Sequence, residues 1–263
     1  MALRGPLSRL LRFTLSSCQQ NRSHSVAVLG APFSKGQKRR GVEHGPKAIR
    51  DAGLVERLSN LGKYIIINTN VTLTSVLAYD DHPSCYYHGQ LLHFLIVCLE
   101  RKNSITTFIL LANLILLLSH SIILKTLGIQ YFSMRDIDRM GIQRVMEVTL
   151  DHLLARKQRP IHLSFDIDAF DPSLAPATGT PVNGGLTYRE GIYVTEEIHN
   201  TGLLSVMDVV EVNPTLGATP EALEATTSLA VDIIASALGQ TREGAHITFP
   251  KIPEPKEDTE LRL

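Results

Sequence analysis

In the run Ser164-Phe165-Asp166-Ile167-Asp168-Ala169-Phe170-Asp171-Pro172, residue type and spacing imply chemistry most directly. An apolar strand over Ile161 to Asp168 delivers Asp166 and Asp168 at its C-terminal end, and a two-residue spacing in a strand puts both carboxylates on one face. Ligand sites of open parallel sheets lie off the carboxyl ends of the strands. Two carboxylates that close repel one another, and one takes up a proton at neutral pH unless a cation sits between them. Their hard oxygens suit Mg²⁺, Ca²⁺ or Mn²⁺. An isolated Asp-x-Asp is more often just a strand end hydrogen-bonded to loop amides, so the longer context decides. Asp171 reads as the residue that shapes the turn before Pro172, not as a ligand.

The elements that must position these side chains follow from periodicity and punctuation. Val26 to Leu29 is a short strand. Pro46 suits the first turn of a helix that places Leu54, Leu58 and Leu61 on one face before Gly62. Ile129 to Ser133 is a strand, and a helix runs from about Ile137 to Lys157 with Ile142, Val145, Met146, Leu150, Leu153 and Leu154 on one side. Thr187-Tyr188-Arg189-Glu190 is a capping box opening a helix to about Asn200. Leu203 to Val212 is apolar enough for a strand buried on both faces. Thr219-Pro220 opens a helix that Gly239 closes. Strands alternating with helices predict an α/β fold with a mostly parallel sheet.

Lysine plus arginine and aspartate plus glutamate number 26 each, so no bulk charge points to nucleic acid. The three cysteines, Cys18, Cys85 and Cys98, define no disulfide framework. Residues 1–42 contain no acid, and Arg4, Arg9, Arg12 and Arg22 punctuate an apolar start, the pattern of a mitochondrial transit peptide over 1–23. A single α/β domain is expected over 24–250 and a disordered tail over 251–263. Within the domain, 63–122 is atypical: strand–helix alternation is lost after about Lys63, and Ser104 to Leu124 carries no charge. That stretch reads as a marginal membrane span, as a buried core segment, or as residues of an alternative or misassembled exon, the last being preferred.

Several ordered motifs resemble the arginase (ureohydrolase) family: Ser164 to Pro172, Ala175-Pro176-Ala177-Thr178-Gly179-Thr180-Pro181, Gly184-Gly185-Leu186-Thr187 and Glu211-Val212-Asn213-Pro214, with Gly30-Ala31-Pro32-Phe33-Ser34 and Gly41-Val42-Glu43-His44-Gly45-Pro46 near the start. The arginine-rich leader makes the mitochondrial members the nearer match. The resemblance implies a three-layer α/β arginase-type fold and a homotrimer. It also implies a matrix enzyme that converts L-arginine and water into L-ornithine and urea, using hydroxide bound to two Mn²⁺ ions. Carried over by position, Asp166 would bridge the metals, Asp168 would bind one of them, Glu211 would hold the guanidinium and Thr180 would line the substrate pocket. Arg242 matches a position at the trimer interface. No residue is assigned as the proton-transfer catalyst, and a membrane is not expected among the partners.

The same resemblance exposes a gap. The Gly-Gly-Asp-His and Asp-Ala-His-Ala-Asp segments that complete the metal pair are absent, as is the Ser-Gly-Asn-Leu-His-Gly substrate loop. Asp80-Asp81-His82 and His88-Gly89-Gln90 are poor substitutes. The chain is therefore read as internally truncated, binding manganese weakly and hydrolysing arginine slowly. The alternative is a non-catalytic arginase-like variant that associates with intact subunits or with a membrane.

Overall fold

A computed structural model describes residues 25–34, 39–68, 94–99, 105–112, 126, 130–154 and 158–242. The leader, the tail, Asp80 to His82, His88 to Gln90, and the parts of 63–122 and of Ser104 to Leu124 other than 63–68, 94–99 and 105–112 lie outside these residues.

Seven strands and five α-helices are described: β1 (Ser25–Leu29), α1 (Gly45–Asp51), α2 (Leu54–Asn60), β2 (Tyr64–Asn68), β3 (Phe94–Leu99), β4 (Ile105–Ala112), β5 (Gln130–Ser133), α3 (Met134–Leu154), β6 (Ile161–Asp166), α4 (Tyr188–Asn200), β7 (Leu204–Val210) and α5 (Pro220–Ala237). The strands form a two-stranded sheet β1-β2 and a five-stranded sheet in the order β5-β4-β3-β6-β7. Pairs β1–β2, β4–β5 and β6–β7 are parallel, whereas β3 runs antiparallel to both β4 and β6. The α/β expectation holds, and the reversal of β3 has a simple cause. Only residues 100–104 separate β3 from β4, too few for the crossover that a parallel neighbour needs.

The alternation expected to stop at Lys63 continues one element further, because Tyr64–Asn68 pairs with β1 along its whole length. Ile105–Ala112, inside the uncharged stretch, is a strand with neighbours on both sides. Among the described residues no helix is long and apolar enough to cross a membrane.

Local signals account for most helix ends. Pro46 lies in the first turn of α1. Thr187 and Glu190 cap each other reciprocally at the start of α4. Thr219 accepts from Ala222 N–H at the start of α5. Helix α3 begins earlier than the apolar period implied, at Met134, because Asp136 accepts from the Ser133 amide at 2.9 Å and its hydroxyl at 2.7 Å. It is also two helical pieces joined at Gly141, whose φ of 77° only glycine adopts readily.

The core forms on one face of β6. Ile161, Leu163 and Phe165 are fully buried. They cluster with Val145, Met146 and Leu153 of α3, Ile192, Val194 and Ile198 of α4, and Leu229 and Ile233 of α5. Each such side chain contributes about 1.5–3 kcal/mol on leaving water. Strand β7 departs from the expectation of burial on both faces: Val206 and Val210 are 47% and 39% exposed. Among the described residues it is an edge strand, with β6 as its hydrogen-bonded neighbour on one side.

Candidate active site at the β6–β7 sheet end

Strand β6 stops at Asp166, and Ile167–Ala169 forms a 3-10 turn. Asp168 therefore sits in that turn and not on the strand face. The turn exists because the Asp166 carboxylate caps it, Oδ1 accepting from Asp168 N–H at 3.1 Å. Both carboxylates are nearly removed from solvent, at 5% and 2% exposure. Burying two acids costs heavily unless each is hydrogen-bonded or shares a cation. Thr180 supplies one compensation, its hydroxyl donating to Asp168 Oδ2.

The segment after the turn is fixed by its own residues. Asp171 Oδ1 accepts from the Ser173 amide at 3.0 Å and its hydroxyl at 2.6 Å, and Oδ2 accepts from Gly184 N–H at 2.8 Å. These bonds, the Ser173 hydroxyl foremost, hold the exposed Asp171 carboxyl below its ordinary range. This is the turn-shaping role expected of it. Gly185 packs so tightly that a Cβ there would lie 2.7 Å from Ala169 O and 2.5 Å from Asp171 N. The Phe165 and Phe170 rings stack at 5.6 Å beneath the turn.

Glu211 reaches the same end of the sheet by register. Asp166 is opposite Val210 in the β6–β7 ladder, so Glu211 follows directly on the partner of Asp166. It is also the sole non-glycine described residue with positive φ, at 67°. Such a conformation costs about 1–3 kcal/mol and persists only where its surroundings enforce it. Beyond it, Val212 bridges Thr178 and Asn213 N–H donates to Ala177 O at 2.9 Å, tying this strand end to the loop that carries Thr180. Asp166, Asp168, Thr180 and Glu211, singled out from sequence, thus share one sheet end.

A family model for the arginase family matches residues 24–80 and 76–239. The chain belongs to the arginase family. Human mitochondrial arginase-2 is 44% identical over 345 aligned positions that take in 99% of this chain and 98% of the relative. A non-hepatic arginase of Xenopus laevis is 46% identical, covering 94% of this chain and 92% of the relative. The crystal structure of arginase from Bacillus subtilis superposes with a TM-score of 0.66 at 27% identity, over 83% of this chain and 99% of that one.

The alignment with the human arginase also measures the internal gap. Since this chain has 263 residues, at least 82 of the 345 aligned positions are gaps in it. The family match breaks in two around 76–80, inside the stretch read as atypical. A pair of manganese ions is general in the family, and the described residues can be tested against it. Among them, no group of three or more His, Cys, Asp or Glu side chains is arranged to hold a metal ion. Of the described residues at this sheet end, the buried carboxylates of Asp166 and Asp168 are hard oxygen donors of the type that divalent cations take, and each already accepts a hydrogen bond.

Arg242 packs within its own chain: its Nη2 lies 2.7 Å and its Nε 3.1 Å from Glu196 Oε2. Two features had no signal in sequence. His162 and Ser164, on the β6 face opposite the core, both bond the Asp208 carboxylate of β7, Ser164 Oγ at 2.6 Å. Asn213, fully buried, joins two loops through its side chain, and nothing in Glu-Val-Asn-Pro marks it as different from a turn residue before proline.

Proposed function

We propose that this chain is an arginase-family hydrolase that recognises L-arginine through Glu211 and Thr180 but turns it over to L-ornithine and urea only weakly. The observation that carries the reading is the meeting of Asp166, Asp168, Thr180 and Glu211 at the β6–β7 end. A carboxylate in the position of Glu211 suits the planar, bidentate guanidinium. Asp166 and Asp168 remain as metal ligands, and with so few carboxylates the affinity for Mn²⁺ falls to a dissociation constant on the order of a millimolar. The acid-free, arginine-punctuated leader and the mitochondrial arginase-2 relatives support a mitochondrial location, with the matrix as the proposed compartment. A homotrimer is the proposed assembly.

A second reading, a non-catalytic arginase-like polypeptide that associates with intact subunits, is favoured by the gap of at least 82 aligned positions. Urea release by the purified full chain, titrated with Mn²⁺, separates the two. The first reading expects slow turnover that saturates only at millimolar Mn²⁺ and vanishes in Glu211→Gln. Saturation at micromolar Mn²⁺ with fast turnover would overturn the proposed impairment. Absence of both turnover and arginine binding at every Mn²⁺ concentration would overturn the assignment of Glu211.

A further inference from the structure

We infer that Asn213 is a positioning residue, a latch that holds Glu211 in its left-handed backbone conformation; the inference rests on the arginine-binding reading of Glu211 given above. Three observations meet at this side chain. Glu211 has a φ of 67° that a glutamate does not adopt unaided. Asn213, two residues on, is completely buried and uses both ends of its amide. Nδ2 donates to Arg40 O at 3.1 Å, while Oδ1 accepts from Thr215 N–H at 3.1 Å and from Thr215 Oγ1 at 2.7 Å.

The loop that receives the latch is shaped for it. Gly41, with a φ of 119°, packs where a Cβ would lie 2.9 Å from Thr215 Cβ and closer still to Thr215 Oγ1 and Asn213 Oδ1. Glu43 Oε2 accepts from Gly41 N–H at 2.7 Å and holds the loop from the other side. A Cβ on Gly45 would lie 2.6 Å from the Val212 carbonyl oxygen. Residues 40–45 therefore clamp Val212 and Asn213 from one side. The bond from Asn213 N–H to Ala177 O clamps them from the other. With both neighbours beyond Glu211 fixed, its backbone has no low-energy route back to the extended region.

Aspartate at 213 keeps the acceptor for Thr215 but presents an oxygen to the Arg40 carbonyl, so it removes one arm of the latch with almost no change in volume. The experiment compares the full chain with Asn213→Asp and Asn213→Ala, measuring L-arginine and L-ornithine affinity by calorimetry at saturating Mn²⁺. Amide hydrogen exchange across residues 209–215 is followed in parallel. Unmodified chain is expected to prefer arginine to ornithine. Both variants are expected to lose arginine affinity by roughly ten- to a hundredfold while ornithine affinity stays within about twofold, and to exchange faster around Glu211. Equal losses for both ligands, or unchanged arginine affinity with faster exchange, would reduce Asn213 to a structural residue and overturn the inference. No arginine preference in the unmodified chain would instead overturn the reading of Glu211, whereas the exchange comparison would still decide whether Asn213 fixes the segment.

Discussion

Adding one methyl group at Gly185 should disorganise the turn that carries Asp168. An alanine Cβ would sit 2.7 Å from Ala169 O and 2.5 Å from Asp171 N, and closer still to the Phe170 carbonyl carbon. All three are backbone atoms, so no side chain can rotate away. Relief requires the 169–171 segment to separate from 184–186, which breaks Leu186 N–H to Ala169 O at 2.8 Å and Asp171 N–H to Leu186 O at 3.2 Å. Two such bonds contribute about 1 kcal/mol each, and residual overpacking against the buried Phe170 adds about 1 kcal/mol or more. Gly185→Ala is therefore expected to destabilise the protein by about 3 kcal/mol, a large part of the 5–15 kcal/mol typical of a folded domain. Urea unfolding followed by circular dichroism reads this as a lower midpoint with unchanged slope. A loss below about 1 kcal/mol would show that the segment yields without breaking these bonds, and would refute the claim that tight backbone contact fixes Asp168.

Thr180→Val removes the hydroxyl that donates to the buried Asp168 carboxylate; urea unfolding at neutral pH should show a loss of about 1–3 kcal/mol, with Thr180→Ser close to the parent. Equal stability of Val and Ser variants would show that this bond contributes nothing. For Asp136, the Ser133 amide foremost and then its hydroxyl depress the carboxyl below its ordinary 3.8, so the stability it adds is present above that value and lost as pH falls through the folded one. Asp136→Asn should accordingly be less stable than the parent at pH 7, with the difference shrinking on acidification below pH 3.8. A difference that persists unchanged down to full protonation would sink the capping account of how α3 begins.

What sequence could reveal divides along the range of the interaction. Caps at Thr187, Thr219 and Pro46 were legible because each is settled by residues within one helical turn. The break at Gly141 was not, since the apolar period of α3 continues across it from Ile137 to Val145. Asp166 and Asp168 stand out in the sequence, but their spacing does not reveal their relation. Spacing of two implies one strand face, whereas the carboxylate of Asp166 itself ends the strand by capping the next turn. The direction of β3 and the exposure of β7 depend on which strands become neighbours, a property no local pattern encodes. Pairing of His162 and Ser164 with Asp208, across more than forty residues of chain, is of the same kind.

Short-range bonds hold much of this end of the sheet. Asp166, Asp168 and Glu211 hang from one parallel pair, β6 and β7, and from loops that bond chiefly to themselves: Asp171 to Ser173 and Gly184, Ala177 to Asn213, Thr180 to Asp168. None of these bonds involves a residue between 46 and 160. These bonds hold the sheet end locally, while β6 itself also pairs with β3 from the middle of the chain, Phe94 standing opposite Phe165. Metal affinity is not a local property of these loops, since it rises steeply with the number of anionic ligands converging on the ion. On the reading proposed above, changes in the middle segment would weaken turnover more than recognition. On that reading the carboxylate proposed to meet the guanidinium keeps its local loop bonds, whereas activation of water would need more ligands than Asp166 and Asp168.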